Sequence, residues 1–159
     1  VGDTTLKIVT AIHTCLNTAT QGETLNALAN NAHAVSNVTG DFPSRANLDL
    51  FGDFELLVDV AVSVAAGKTV AELWILPKVD NTNFPSGGAA GDNVDPQLSL
   101  RVGAFPWVIT GTADNRMVLN GIRLPPHDLR FVLKNVSAQA FGSNDGHTLK
   151  LQAYRVTTA

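Results

Sequence analysis

The sequence predicts an all-β protein, an antiparallel β-sandwich or jelly roll with an extended N-terminal arm, on three observations. First, a period-two alternation runs through 48–64, with Leu48, Leu50, Phe54, Leu56, Val58, Val60, Val62 and Val64 on one parity. Asp49, Asp53, Glu55, Asp59, Ala61 and Ser63 hold the other, with Leu57 the main exception, as a strand between core and solvent requires. Second, about six or seven strand-like runs follow one another at short spacing, each with a turn signal of Gly, Pro, Asn, Asp or Ser. Third, no helical apolar period interleaves them, which speaks against an α/β architecture. A chain of 159 residues is the size of one domain with a full core. The expected layout is an N-terminal arm or edge strand over 1–22 and a single β-sandwich domain over 23–159.

Taken in order, Leu6, Ile8 and Ile12 suit an extended arm or edge strand. The Leu25, Leu28 and Ala32 spacing in 24–34 has a helical look, but two asparagines and short length favour two short strands joined by a turn at Asn30-Asn31. Residues 41–44 read as a loop. A short strand or bulge is expected near Leu48 and Leu50, a break at Phe51-Gly52, and one long strand over 54–64. Ala65-Ala66-Gly67-Lys68 reads as a hairpin turn and 69–76 as the returning strand, ended by Pro77, which has no N–H to donate. Residues 78–96 are rich in Gly, Pro, Asn, Asp and Ser and predict a long surface loop, the first candidate for a contact surface. Strand alternation returns at Leu98, Leu100 and Val102, then at Phe105, Trp107 and Ile109 across Pro106, which belongs at an edge or bulge. Residues 112–115 form a turn, 116–122 a strand, and Leu124-Pro125-Pro126-His127-Asp128 a rigid turn. Leu129, Phe131 and Leu133 then share one face, and Leu149, Leu151 and Ala153 share a face of the closing strand after a turn at 143–146.

Charged residues make up only 16% of the chain, against roughly 25% in an average soluble domain. The polar surface must therefore come from Thr, Ser, Asn and Gln, which suits packing against other subunits. A net charge of −3, with Lys and Arg scattered and no two adjacent, argues against binding a phosphate backbone. Cys15 is the only cysteine, so neither an internal disulfide nor a thiolate zinc cluster is expected. No secretory leader or membrane-length apolar run is seen, and Val1 would permit removal of an initiator Met; synthesis in the cytoplasm without export is the expectation.

The chemical motifs fail one by one. His13, His33, His127 and His147 lack the partners of a helical zinc motif, and His127 and His147, beside turns, are expected to be solvated. No nucleophile elbow accompanies any Ser/His/Asp combination. Asp92, Asn93 and Asp95, with Asp80 and Asn81, could offer calcium oxygens, but their order is not that of an EF-hand and a solvated acidic turn is expected. Gly87-Gly88-Ala89-Ala90-Gly91 lacks the Lys and the strand–helix frame of a phosphate cradle. Asn37-Val38-Thr39 and Asn135-Val136-Ser137 match the glycosylation pattern, without consequence in a cytoplasmic chain. Trp74 and Trp107 are expected in the core rather than as carbohydrate-stacking platforms. No catalytic residue, cofactor site or metal ligand is assigned, and the chain reads as a structural or binding part, not an enzyme.

Three segments carry a resemblance. VAELWILPKVDNTNF (70–84), MVLNGIRLPPHDLRFVLKNVSAQAF (117–141) and GHTLKLQAY (146–154) resemble strand-and-loop units of tailed-bacteriophage virion proteins. That group includes small β-sandwich or jelly-roll decoration and cement proteins that clamp neighbouring capsid subunits. The resemblance spans about 47–156, through framework features, and transfers no functional residue. It implies a decoration or cement protein on the outer capsid surface, with the major capsid protein as partner, self-association as a dimer or trimer, and no nucleic-acid or membrane partner. A head fibre, tail component or glycan-binding receptor module is the other reading.

Overall fold

The computed structural model describes residues 4–16, 25–36, 42–43, 51–60, 63–80, 82–87, 94–143 and 146–158. Nine strands form there: β1 (Thr4–Leu16), β2 (His33–Val35), β3 (Phe42–Pro43), β4 (Phe51–Val58), β5 (Thr69–Pro77), β6 (Arg101–Pro106), β7 (Asn115–Arg123), β8 (Asp128–Asn135) and β9 (Thr148–Thr158). They make two antiparallel sheets packed against each other, one ordered β1-β9-β4-β7 and the other β2-β8-β5-β6, with β3 also paired to β8.

The pairing has a simple origin. Strand β1 pairs β9, β2 and β3 pair β8, β4 pairs β7, and β5 pairs β6. The chain is thus one long antiparallel ribbon doubled back at the β5–β6 connection. Rolling that ribbon brings β9 against β4 and β8 against β5, which completes both sheets. This is the jelly-roll solution to closing a double sheet, with β2 and β3 sharing one strand position. The fold class expected from alternation is the one observed.

The alternation does its work most plainly in β4, where every second residue from Gly52 to Val58 is buried. Phe54, Leu56 and Val58 join Met117 of β7 and Leu149, Leu151 and Ala153 of β9 on one inner face. Leu73 and Ile75 of β5, Phe105 of β6, and Leu129, Phe131 and Leu133 of β8 supply the other. Phe54 meets Phe131 edge to face across the sandwich, ring centroids 5.3 Å apart. Each such side chain contributes about 1.5–3 kcal/mol on burial, so the core carries the fold. Trp74 and Trp107 are both buried.

Several local expectations are corrected. The break expected at Phe51-Gly52 is absent: both residues lie in β4, and a Cβ at Gly52 would fall 2.4 Å from Leu151 Cδ1 and push that side chain aside. The strand expected over 54–64 ends at Val58, leaving single bridges at Val60–Phe141 and Val64–Gly111. The reason is topological. The chain leaves one sheet at Asp59 to enter the other at β5, so the Ala66-Gly67 turn joins two sheets and is not a hairpin. Leu98–Leu100 is a 3-10 turn, and β6 begins at Arg101. Ile109 is exposed rather than inward, because the chain leaves the sheet after Trp107 and the Asn115 side chain holds it there, bonding the Val108 N–H and the Ile109 carbonyl. The Asn30-Asn31 turn forms and leads into β2, but Leu25–Ala29 is turn and coil, with Ala27 and Asn31 at φ 53° and 65°. The N-terminal segment contributes edge strand β1 along β9. Pro106 ends edge strand β6, where no partner needs its missing N–H. The readings at 41, 44, 48–50 and 61–62 lie outside the described residues.

Candidate functional site

Sheet β2-β8-β5-β6 has an apolar outer face, and the chain covers it with its own loop. Trp74, Leu76 and Val132 form a second buried cluster beneath Val35, Phe84 and Leu100. Arg130 and Lys78 lie over the Phe84 ring at 3.9 and 4.9 Å, closing the cover with cation–π contacts. Asp95 fastens the returning end of the loop: Oδ1 lies 2.9 Å from His33 Nε2, and Lys134 Nζ donates to it at 2.7 Å. Partial burial works against the Asp95 charge, but the hydrogen bonds from Lys134 and His33 outweigh it and hold the carboxyl below its ordinary pKa. This contribution is present above the unfolded carboxylate value near 4 and fades as pH falls below it. Asp80 turns the other end, where the Asn83 and Thr82 N–H groups and the Asn83 amide lower its pKa to about 2. The two described members of the acidic set thus serve loop structure separately; 81 and 92–93, like 88–91 of the glycine run, lie outside the described residues.

Among the described residues, nothing covers the outer face of the opposite sheet. Its outer face carries Ile12 of β1, Lys150 and Gln152 of β9, Asp53 and Glu55 of β4, and Val118 and Asn120 of β7 around a groove of about 220 Å³ that crosses all four strands. Ile12 and Val118 are 62% and 47% exposed at its two ends. Register places Lys150 against Glu55 and Glu55 against Val118, and Arg116 pairs with Glu55. Beside the groove Phe51 stacks on Tyr154. Burial, then the charge and hydrogen bond of Asp53, raise the Tyr154 pKa.

A third feature sits where alternate connections meet. With β2 and β3 running alike in one strand position, strand direction reverses at each remaining step, so the β1–β2, β4–β5, β6–β7 and β8–β9 connections reach the same end of the sandwich. Their backbones are laced together: Ala27 donates to Gly142, Phe141 to Leu28, Gly142 to Asp59, and Val60 to Thr112. Asn135, fully buried at the end of β8, organises two of them. Its Nδ2 donates to the Leu28 and Gln139 carbonyls at 2.7 Å each, and its Oδ1 accepts the Ser137 N–H at 2.9 Å. Its amide, that of the first residue in the match at 135–137, is spent inside the fold; the match at 37–39 lies outside the described residues.

At this end Asp59, Asp114 and His147 converge, their ligand atoms all within 4.8 Å of one another. Asp59 and His147 are buried and Asp114 is exposed. His147 Nε2 lies 2.6 Å from Asp59 Oδ1 and also receives the Asp59 N–H at 3.2 Å. The carboxylates face a polar cleft of about 500 Å³, edged by Thr112 and Ser143. Gly142 makes the approach possible, since a Cβ there would fall 1.8 Å from Asp59 Oδ1. His147 is therefore not the solvated turn residue expected, and His127, half-buried in the β7–β8 connection, stays apart from this group. Asp59, Asp114 and His147 are the three residues, among those described, placed to share an ion. Cys15 is not reactive machinery: burial against the core pushes its thiol pKa well above the ordinary value.

Sequence reasoning missed this cluster, although one signal was present. His147 shares the parity of Leu149, Leu151 and Ala153, and that parity points inward. Fold and surface define a jelly-roll β-sandwich with one self-covered sheet, one sheet whose outer face is uncovered among the described residues, and a polar cleft at one end. Compared with known proteins, the chain matches no family model, no curated protein and no solved structure. No helix among the described residues is long and apolar enough to cross a membrane.

Proposed function

We propose that the protein is a structural, non-catalytic virion part: a capsid decoration or cement protein of a tailed phage that binds between major capsid subunits and stabilises the head. One observation carries the binding role. The apolar outer face of one sheet is covered by the chain's own Val35, Phe84 and Leu100, whereas the outer face of the other presents Ile12 and Val118 across a four-stranded groove. A mixture of separated apolar residues, Glu55, Arg116 and Lys150 suits a surface that is soluble alone and docks on a partner. The low charge of the chain supports the same reading, since many copies must lie close together on a shell. The phage assignment itself rests on the resemblance of 70–84, 117–141 and 146–154.

In this reading residues 1–22 contact the shell through β1, with Ile12 in the groove, and the exposed Val79 and Val94 of the 78–96 loop reach a neighbouring subunit. Repetition over the lattice turns modest single contacts into avidity. Self-association as a dimer or trimer belongs to the same proposal. The double variant Ile12→Ser, Val118→Ser tests the docking face. Both side chains are exposed, so the melting temperature is expected to hold within a few degrees, while binding to heads stripped of this protein weakens roughly tenfold. Full binding by the double variant counts against this face. A strong hit for the wild-type chain in a glycan-binding screen, with no binding to heads, favours a receptor module instead.

A further inference from the structure

We infer that Asp59, Asp114 and His147 form a binding site for one first-row divalent cation of the zinc class, which ties together the β4–β5, β6–β7 and β8–β9 connections. The site is built from three separate connections, and its ligand atoms lie within 4.8 Å of one another. Two of the three side chains, Asp59 and His147, are buried, so the fold holds them in place.

The contact between His147 and Asp59 asks for positive charge. The Asp59 N–H points at Nε2, which suits a lone pair there, yet Oδ1 of the same residue lies 2.6 Å from that nitrogen. That separation is the length of a hydrogen bond, so a proton joins them in the metal-free chain, and an ion would displace it and part the two donors to about 3.3 Å. The Asp114 carboxylate adds a second negative donor within 4.8 Å of both. A proton balances one negative charge, whereas two carboxylates beside one imidazole match a divalent ion. The backbone at Gly142 gives Asp59 its position without a Cβ, and the cleft beside it leaves space for water on the open side. His147 Nδ1 is buried and makes no hydrogen bond, so the polar contacts of the ring lie at Nε2.

The donor set selects the ion. One imidazole and two carboxylates, with an open position, fit a tetrahedral zinc-type site that keeps a water. Calcium prefers six to eight oxygens and gains little from an imidazole. Because the donors come from three connections, the ion stabilises the folded chain over the unfolded one, in which the three are far apart.

The test uses the untagged full chain, dialysed against chelator and titrated with Zn²⁺ by calorimetry. Co²⁺ serves as a spectroscopic probe, and melting is followed with and without metal. One equivalent of Zn²⁺ is expected to bind and raise the melting temperature, Co²⁺ is expected to give the visible bands of a low-coordinate site, and Ca²⁺ is expected to give neither. Asp114→Ala, an exposed substitution that leaves the core intact, is expected to weaken Zn²⁺ binding about tenfold or more. His147→Gln is expected to abolish the Co²⁺ bands. Asp80→Ala, in a surface turn of another connection, is expected to leave the Zn²⁺ affinity and the Co²⁺ bands unchanged. Absence of saturable binding by the wild-type chain overturns the inference in favour of a shared proton. Unchanged Zn²⁺ affinity in Asp114→Ala overturns it in favour of a different site.

Discussion

Replacing Asn135 with Asp is expected to cost about 4 kcal/mol of folding stability at neutral pH, among the largest effects of any single substitution. The geometry sets both sign and size. The amide nitrogen sits 2.7 Å from two carbonyl oxygens, those of Leu28 and Gln139, and Asn135 has no solvent exposure. A carboxylate turns two hydrogen bonds into two repulsive contacts and leaves a buried charge with only the Ser137 N–H and hydroxyl to meet it. Denaturant unfolding checks it. Asn135→Ala, which removes the bonds but adds no charge, is expected to cost less. A loss below about 1 kcal/mol for the Asp variant, the size of an exposed substitution, contradicts the role given to Asn135.

Trp74→Ala is expected to cost about 3–5 kcal/mol and to release the 78–100 segment from the sheet. Trp74 is 2% exposed although it lies on the outer face of β5, so its burial depends on Phe84, Leu100 and Val35 above it. Removing it deletes the floor on which the loop rests and weakens the site where Asp95 meets His33 and Lys134. Its indole N–H has no hydrogen-bond partner, so Trp74→Phe is expected to keep most of the stability. Hydrogen exchange separates a local effect from a global one. Faster exchange in 94–101 with β4 and β9 still protected supports the cover, while uniform loss of protection shows that Trp74 belongs to the main core instead.

Much of the fold was legible because one physical rule governs it. Inward parity in β4, β8 and β9 follows from a sheet with one face in a core, and the structure places Phe54, Leu129, Phe131, Leu149 and Leu151 accordingly. The apolar character of both faces of β5 was also legible; that its outer face is covered from within was not, because the cover comes from a loop without periodicity. Parity failed where the chain changes sheets. Asp59 shares the parity of solvent-facing Asp53 and Glu55, but the strand ends one residue before it and parity has no meaning beyond.

The polar site was hidden for a related reason. Asp59 and His147 stand 88 residues apart, and only the rolling of the ribbon brings their connections to one end. What could have flagged it is a polar residue on inward parity at a strand end. His147 before Leu149, Asn135 after Leu133 and Asn115 before Met117 all show that mark, and all three are buried. The proposed docking face was legible only as low charge, since it is defined by an outer face left uncovered among the described residues.

The most direct test of the proposed role is a cryo-microscopy map of intact particles that carry this chain. The expected result is many copies of the jelly roll over the head, seated at joints between major capsid subunits with the β1-β9-β4-β7 face against the shell. A few copies confined to the tail, with that face turned to solvent, would contradict it.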